Sequence, residues 1–184
     1  KAYVEDMLEG VHVQINHMTS TLNEFRNFFR PTADVQTFNL SKAVESTLFL
    51  VKDEFMKNSI SIEVDVDDTL TLLGNENEFK HLILNIINNA KDAFNERSLS
   101  GRLIKIIGRG DKERIYLSIQ DNAGGIPEGV IDHIFEANVT TKGTGIGLYM
   151  SEQIIKKIDG RIAVANVGDG SCFNIEVTRV LPGE

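Results

Sequence analysis

Residues 85–94 read NIINNAKDAF. They sit inside a longer run, Glu76 to Phe94, in which Leu82, Ile83, Ile86, Ile87 and Ala90 recur at the three- and four-residue spacing of a helix. Asn85 and Asn89, with Asp92 or Ala93 a turn further on, share another face of the same helix. Asparagine is a poor helix former, and a buried amide is costly without partners, so three asparagines in an apolar helix require an explanation. An asparagine oxygen can ligate Mg²⁺, and magnesium sites commonly combine few protein oxygens with substrate phosphates. Taken alone, the stretch is equally a half-exposed helix whose amides are satisfied by neighbours.

The flanking sequence predicts the body around this helix. Ser41–Asn58 reads as a helix with Val44, Leu48, Val51 and Phe55 on its apolar face. Ile60, Ile62, Val64 and Val66 alternate with polar residues, as in a half-buried strand. Arg102–Ile107 and Arg114–Gln120 read as strands, and Gly147–Ile158 as a helix. Arg161–Val167 and Cys172–Val180 read as two closing strands, with Gly168–Ser171 as their turn. Helices and strands mix without a regular alternation, which predicts an α+β sandwich: one mixed sheet covered on one face by helices.

Two other stretches carry chemistry. Asp121–Pro127, DNAGGIP, directly follows an alternating strand. Asp121 is thus held at a strand end, where its carboxylate can accept a hydrogen bond from an amine. The same stretch on its own also suits an ordinary Asp-Asn-Gly turn. Thr140–Leu148, TTKGTGIGL, runs from a loop into a helix. Its spacing matches neither a Walker loop nor a dinucleotide fingerprint. Backbone amides at a helix start can hold phosphate, and Lys142 with the hydroxyls of Thr140, Thr141 and Thr144 adds donors. A plain glycine hinge is the competing reading.

Composition bounds the rest. With 184 residues and 41% hydrophobic content, the chain suits one domain, or one domain plus a helical appendage. The net charge of −8 disfavours nucleic acid as a partner. Cys172 is the only cysteine, which excludes an intramolecular disulfide and a multi-cysteine zinc site. The first residue is Lys1, so a piece of a longer protein is expected. Val4, Leu8, Val11, Ile15, Met18, Leu22, Phe25 and Phe29 form a heptad seam across residues 2–30, and Pro31 ends it. A seam of this kind wants a partner helix, so residues 1–31 are expected to dimerise or join a bundle. His12 and His17 lie on or beside it. A phosphate-accepting histidine is one reading, but neither is followed by an acidic residue that could take its proton, which favours two polar-face histidines.

In order and spacing these stretches resemble the ATP-binding catalytic domain of sensor histidine kinases, within the superfamily of gyrase, the ninety-kilodalton heat-shock chaperone and the mismatch-repair ATPases. NIINNAKDAF resembles the N box, DNAGGIP the first glycine box, IFEANVTTK (residues 134–142) the F box, and GTGIGL (residues 143–148) the second glycine box. GDGSCFNIEV (residues 168–177) resembles the closing strand motif, and MTSTLNEFRNFFRP (residues 18–31) the second helix of the dimerisation domain. The resemblance implies a Bergerat sandwich over residues 32–184. It implies Asn89 as the Mg²⁺ ligand and Asp121 as acceptor for the adenine amino group, with Gly125 and Ile126 packed beside adenine. Asp92, Thr141, Lys142, Gly143, Thr144, Gly145, Gly147 and Leu148 complete the implied nucleotide-binding set.

The superfamily's ATP hydrolases carry a glutamate base four residues before the metal asparagine. Here Asn85 stands there, which favours phosphoryl transfer over hydrolysis. The implied catalytic group is therefore Asn85, Asn89 and Lys142, serving transfer from ATP to a histidine on a helix that this chain lacks. On that reading the chain alone does not phosphorylate itself. The implied partners are ATP, a second copy of the parent protein and a response regulator in a cytoplasmic phosphorelay. The alternatives are a nucleotide-responsive dimerisation module without transfer activity and a serine kinase of the type that regulates sigma factors.

The sequence departs from the family at Ala123, in place of the first glycine of D-x-G-x-G, and at Val139, in place of the usual F-box aromatic. It also joins Lys142 directly to Gly143, where the family usually has several lid residues. We expect residues to be missing from the sequence at that junction.

Overall fold

The computed structural model describes residues 35–137 and 146–181. The heptad seam, the boundary at residues 31 and 32, and the junction of Lys142 with Gly143 lie outside the described residues.

Strand β1 (Gln36–Asn39) leads straight into helix α1 (Leu40–Lys57), whose first turn is capped by Asn39 accepting from the amide of Lys42. Strand β2 (Ser61–Val66) follows, then β3 (Thr71–Gly74), which pairs antiparallel with β1 as a separate two-stranded ladder. Helix α2 (Glu76–Glu96) is capped by Asn75 and carries Glu76 and Glu78 in its first turn, where the helix dipole favours negative charge. Strands β4 (Leu103–Gly110) and β5 (Arg114–Asp121) form the centre of the sheet. After one short helical turn, α3 (Glu128–Ile131), the described chain resumes before α4 (Gly147–Lys157) and ends in the hairpin β6 (Arg161–Val167) and β7 (Gly170–Thr178).

The five-stranded sheet has the order β2-β4-β5-β7-β6. Only the β2–β4 pair is parallel, with Ser61 opposite Leu103, because the chain crosses over through α2 between them. The other pairs are antiparallel, so the sheet is mixed as expected.

Alternation places Ile104 and Ile106 of β4, Ile115, Leu117 and Ile119 of β5, and Phe173, Ile175 and Val177 of β7 on one face. Against that face pack Val44 and Phe55 of α1, Ile154 and Ile155 of α4, and from α2 Phe79, Leu82, Ile83, Ile86, Ile87, Ala90 and Phe94. Each fully buried Val, Leu, Ile or Phe among these contributes about 1.5–3 kcal/mol. The apolar period of α2 thus makes it the middle element of the helical layer. The opposite face of the sheet is open, with Tyr116 and Asn174 exposed.

The structure adjusts several sequence expectations. The β1–β3 ladder and α3 were not anticipated. The closing strand starts at Gly170, so only Gly168 and Asp169 form the turn. Val64 is 43% exposed because β2 is an edge strand, where one face of the alternation meets solvent.

Candidate functional site

Helix α2 carries the asparagines along the border of its buried stripe. Asn85 is half-buried and Asn89 and Asp92 are exposed, so of these three only Asn85 is drawn into packing. Its amide donates to the carbonyl of Gly147 at 3.1 Å and to Ser151 Oγ at 3.4 Å. Ser151 itself donates to the same carbonyl at 2.9 Å. Asn85 therefore fastens the first turn of α4 to α2, which joins the first and third of the sequence motifs. The side-chain oxygen of Asn88 is buried without a partner, whereas Asn89 on the next position reaches solvent.

Helix α4 begins at Gly147 with no side-chain cap on its first amides and no acidic residue in its first turn. Among the described residues no side chain caps those amides, and the positive end of the dipole suits an anion there. Leu148 packs against the core just behind. Thr141, Lys142, Gly143, Thr144 and Gly145 lie outside the described residues.

Asp121 ends β5 and is 9% exposed. One carboxylate oxygen accepts from the amides of Ala123 at 2.8 Å and Ser171 at 3.3 Å. The other accepts from the hydroxyl of Ser171 at 2.6 Å. A carboxylate offers about four acceptor positions. Three are used, and the fourth belongs to the oxygen held by Ser171. A ligand amine fits that donor-seeking position. The site depends on Gly170 as well: a Cβ there would fall on the carbonyl of Asp121 and stand 2.8 Å from Asn122 Cα. Only glycine lets β7 come this close to the end of β5.

The loop after Asp121 is held throughout. Asn122 accepts from the amide of Leu103 and donates to the carbonyl of Gly101, both at 2.8 Å. The amide of Gly124 donates to the carbonyl of Asp169 at 2.7 Å. Arg97, the C-cap residue of α2, donates to the carbonyls of Ala123 and Gly125. Asn166 of β6 bonds both backbone groups of Ile126. Gly125 has φ 71°, a conformation that favours glycine. Phe135 meets Phe173 edge-on at 6.3 Å and seats the chain beyond α3 on the sheet.

The structure thus links Asn85 with Gly147, and ties the Asp121–Ile126 loop to the far end of α2 through Arg97. Sequence reasoning assigned no role to Arg97, Asn122, Ser151, Asn166 or Ser171. Ser171 stood inside the closing motif, and Asn166 carried a signal of its own, since asparagine is depleted in strands. Among the described residues no group of three His, Cys, Asp or Glu side chains is gathered to hold a metal. A magnesium ion at Asn89 would have to take its other oxygens from a ligand and from water, as magnesium commonly does.

Residues 74–180, more than half of the chain, match the family described as "Histidine kinase-, DNA gyrase B-, and HSP90-like ATPase". The chain is similar to the two-component sensor PprA of Pseudomonas aeruginosa, 26% identical over 99% of this chain and 21% of that protein. It is similar to the signal transduction histidine-protein kinase AtoS of Escherichia coli, 30% identical over 93% of this chain and 28% of that protein. Among solved structures it resembles the catalytic domain of histidine kinase ThkA, with a TM-score of 0.72 and 25% identity over 79% of this chain and 98% of that one. The chain therefore spans between a fifth and a third of the length of these two curated relatives.

Proposed function

Because this chain belongs to the histidine kinase-, DNA gyrase B- and HSP90-like ATPase family, we propose that it is the ATP-binding catalytic domain of a two-component sensor histidine kinase. The observation that carries the reading is the Asp121 carboxylate. It is nearly buried, fixed by Ser171 and Ala123, and has one acceptor position left for the adenine amino group. Gly125 and Ile126 line the base beside it. Asn89 would hold Mg²⁺ through its side-chain oxygen, and Asp92 would border the nucleotide on the same helix. Gly147 and Leu148 open the helix that faces the phosphates, with Lys142, Thr141, Gly143, Thr144 and Gly145 supplying the loop before it. Bound magnesium would supply charge neutralisation at the phosphates.

The chain's own work is positioning. Asn85 fastens the start of α4 and has no carboxylate with which to activate water, which supports transfer to a protein acceptor over hydrolysis. The similarity to two-component sensors, together with these residues, favours the kinase over a nucleotide-responsive module without transfer activity and over a sigma-factor-regulating serine kinase. The acceptor is a histidine on a helix outside this chain. Residues 1–31 are the second helix of the dimerisation domain, residues 32–184 form the catalytic domain, and the parent protein is a homodimer that passes phosphate to a response regulator. The domain works in the cytoplasm. No helix among the described residues is long and apolar enough to cross a membrane.

The test is to express the chain alone and the chain extended upstream through a helix bearing a His-Glu or His-Asp pair, and to incubate both with γ-labelled ATP. The extended protein is expected to take up label that is lost in acid and kept in base, as a phosphohistidine is, while the chain alone stays unlabelled. An extended protein that binds ATP but takes no label would support the regulatory module instead.

A further inference from the structure

The backbone from Ala123 to Ile126 is gripped by two side chains from distant parts of the sequence. Arg97 sends one guanidinium nitrogen to the carbonyl of Ala123 and the other, at 2.9 Å, to the carbonyl of Gly125. Its guanidinium occupies the space over Gly124 where a Cβ would stand. From β6, Asn166 accepts from the amide of Ile126 at 2.8 Å and donates to its carbonyl at 2.7 Å. That is the pair of bonds a neighbouring strand would make. Neither residue bonds the Asp121 carboxylate, whose partners are Ala123 and Ser171.

We propose that Arg97 and Asn166 are positioning residues for the nucleobase. They lock the glycine loop in its ligand-ready form before the ligand arrives, and so set affinity for the base without acting on the phosphates. The inference rests on the ATP reading above. Its physical basis is the freedom of a Gly-Gly segment: left unbraced, the loop would populate many backbone states, and affinity would fall by the fraction of time spent outside the competent one. The planar fork of an arginine fixes two carbonyls relative to each other, whereas a lysine supplies one point charge. Arg97→Lys therefore keeps the charge and loses the brace.

The experiment titrates the 184-residue chain and its Arg97→Ala, Arg97→Lys and Asn166→Ala variants with adenosine, ADP and a non-hydrolysable ATP analogue. Amide exchange of residues 124–126 is followed in the free proteins. Arg97→Ala and Asn166→Ala are each expected to weaken all three ligands by one common factor, about 3- to 30-fold. Their loop amides exchange faster, thermal midpoints shift by only a few degrees, and Arg97→Lys resembles Arg97→Ala. A loss that grows with the number of phosphates and is rescued by lysine would overturn the proposal, since Arg97 would then act through its charge. Unchanged affinity in folded variants would overturn it too. The outcomes separate the two readings. If the unaltered chain binds none of the ligands, both fail. If Asp121→Asn, titrated beside them, weakens binding at least about tenfold while Arg97→Ala and Asn166→Ala leave it unchanged, only the positioning role fails.

Discussion

Asp121→Asn reverses hydrogen-bond polarity at one atom and leaves the shape unchanged. The introduced amide oxygen can take the place that accepts from the amides of Ala123 and Ser171. The introduced NH₂ then faces Ser171, whose hydroxyl can turn from donor to acceptor. The internal network survives as neutral bonds, and a nearly buried charge is removed, so the two stability terms oppose each other. A net loss below about 2 kcal/mol is expected. Toward a ligand amine the outcome differs: the last open acceptor becomes a donor. A hydrogen bond to a charged group contributes about 1.5–3 kcal/mol, and each 1.4 kcal/mol is about tenfold in affinity. Adenine-nucleotide affinity should fall roughly 10- to 150-fold, measured by isothermal titration with a non-hydrolysable ATP analogue and checked against a urea unfolding curve of the same sample. A folded variant that binds with unchanged affinity would refute the assignment of Asp121 to the base.

Two other perturbations follow from the geometry. Gly170→Ala places a Cβ against the backbone of Asp121 and Asn122, which cannot yield as a flexible side chain can, so a loss of roughly 3 kcal/mol is expected in urea unfolding. Gly129→Ala, with nothing within 4 Å of the added Cβ, is the matched neutral control. His133 titrates above its ordinary 6.5 because its ring bonds Glu136 at 2.7 Å. Its contribution to stability is therefore fully present below about pH 6.5 and is lost as pH rises through the folded value. An NMR titration of His133 should show the raised midpoint, and Glu136→Gln should return it toward 6.5.

Much of this was legible in the sequence because it is local. The three- and four-residue period of α2 and the alternation of β5 survive in the structure, since each element buries one face against a common core. The β1–β3 ladder was not legible. Its four-residue strands are too short to set a pattern, and their pairing joins positions more than 30 residues apart. The motifs named Asp121, Asn85 and Gly147, but not what holds them. The clamps from Arg97 and Asn166 and the hydroxyl of Ser171 come from positions 26 to 50 residues away from their partners. No local period encodes contacts of that kind. The sequence left open whether the asparagines of α2 are satisfied by neighbours or reach a ligand; in the structure Asn85 is tied to α4 and Asn89 faces solvent.

The central claim is that Asn89 links the protein to magnesium-bound ATP. The most direct measurement titrates an ATP analogue into the unaltered chain and into Asn89→Ala, each with and without Mg²⁺, beside adenosine as a phosphate-free reference. The account predicts that Mg²⁺ strengthens analogue binding to the unaltered chain, that Asn89→Ala abolishes this gain, and that adenosine binds both proteins equally. A magnesium-dependent gain that survives intact in Asn89→Ala would contradict it.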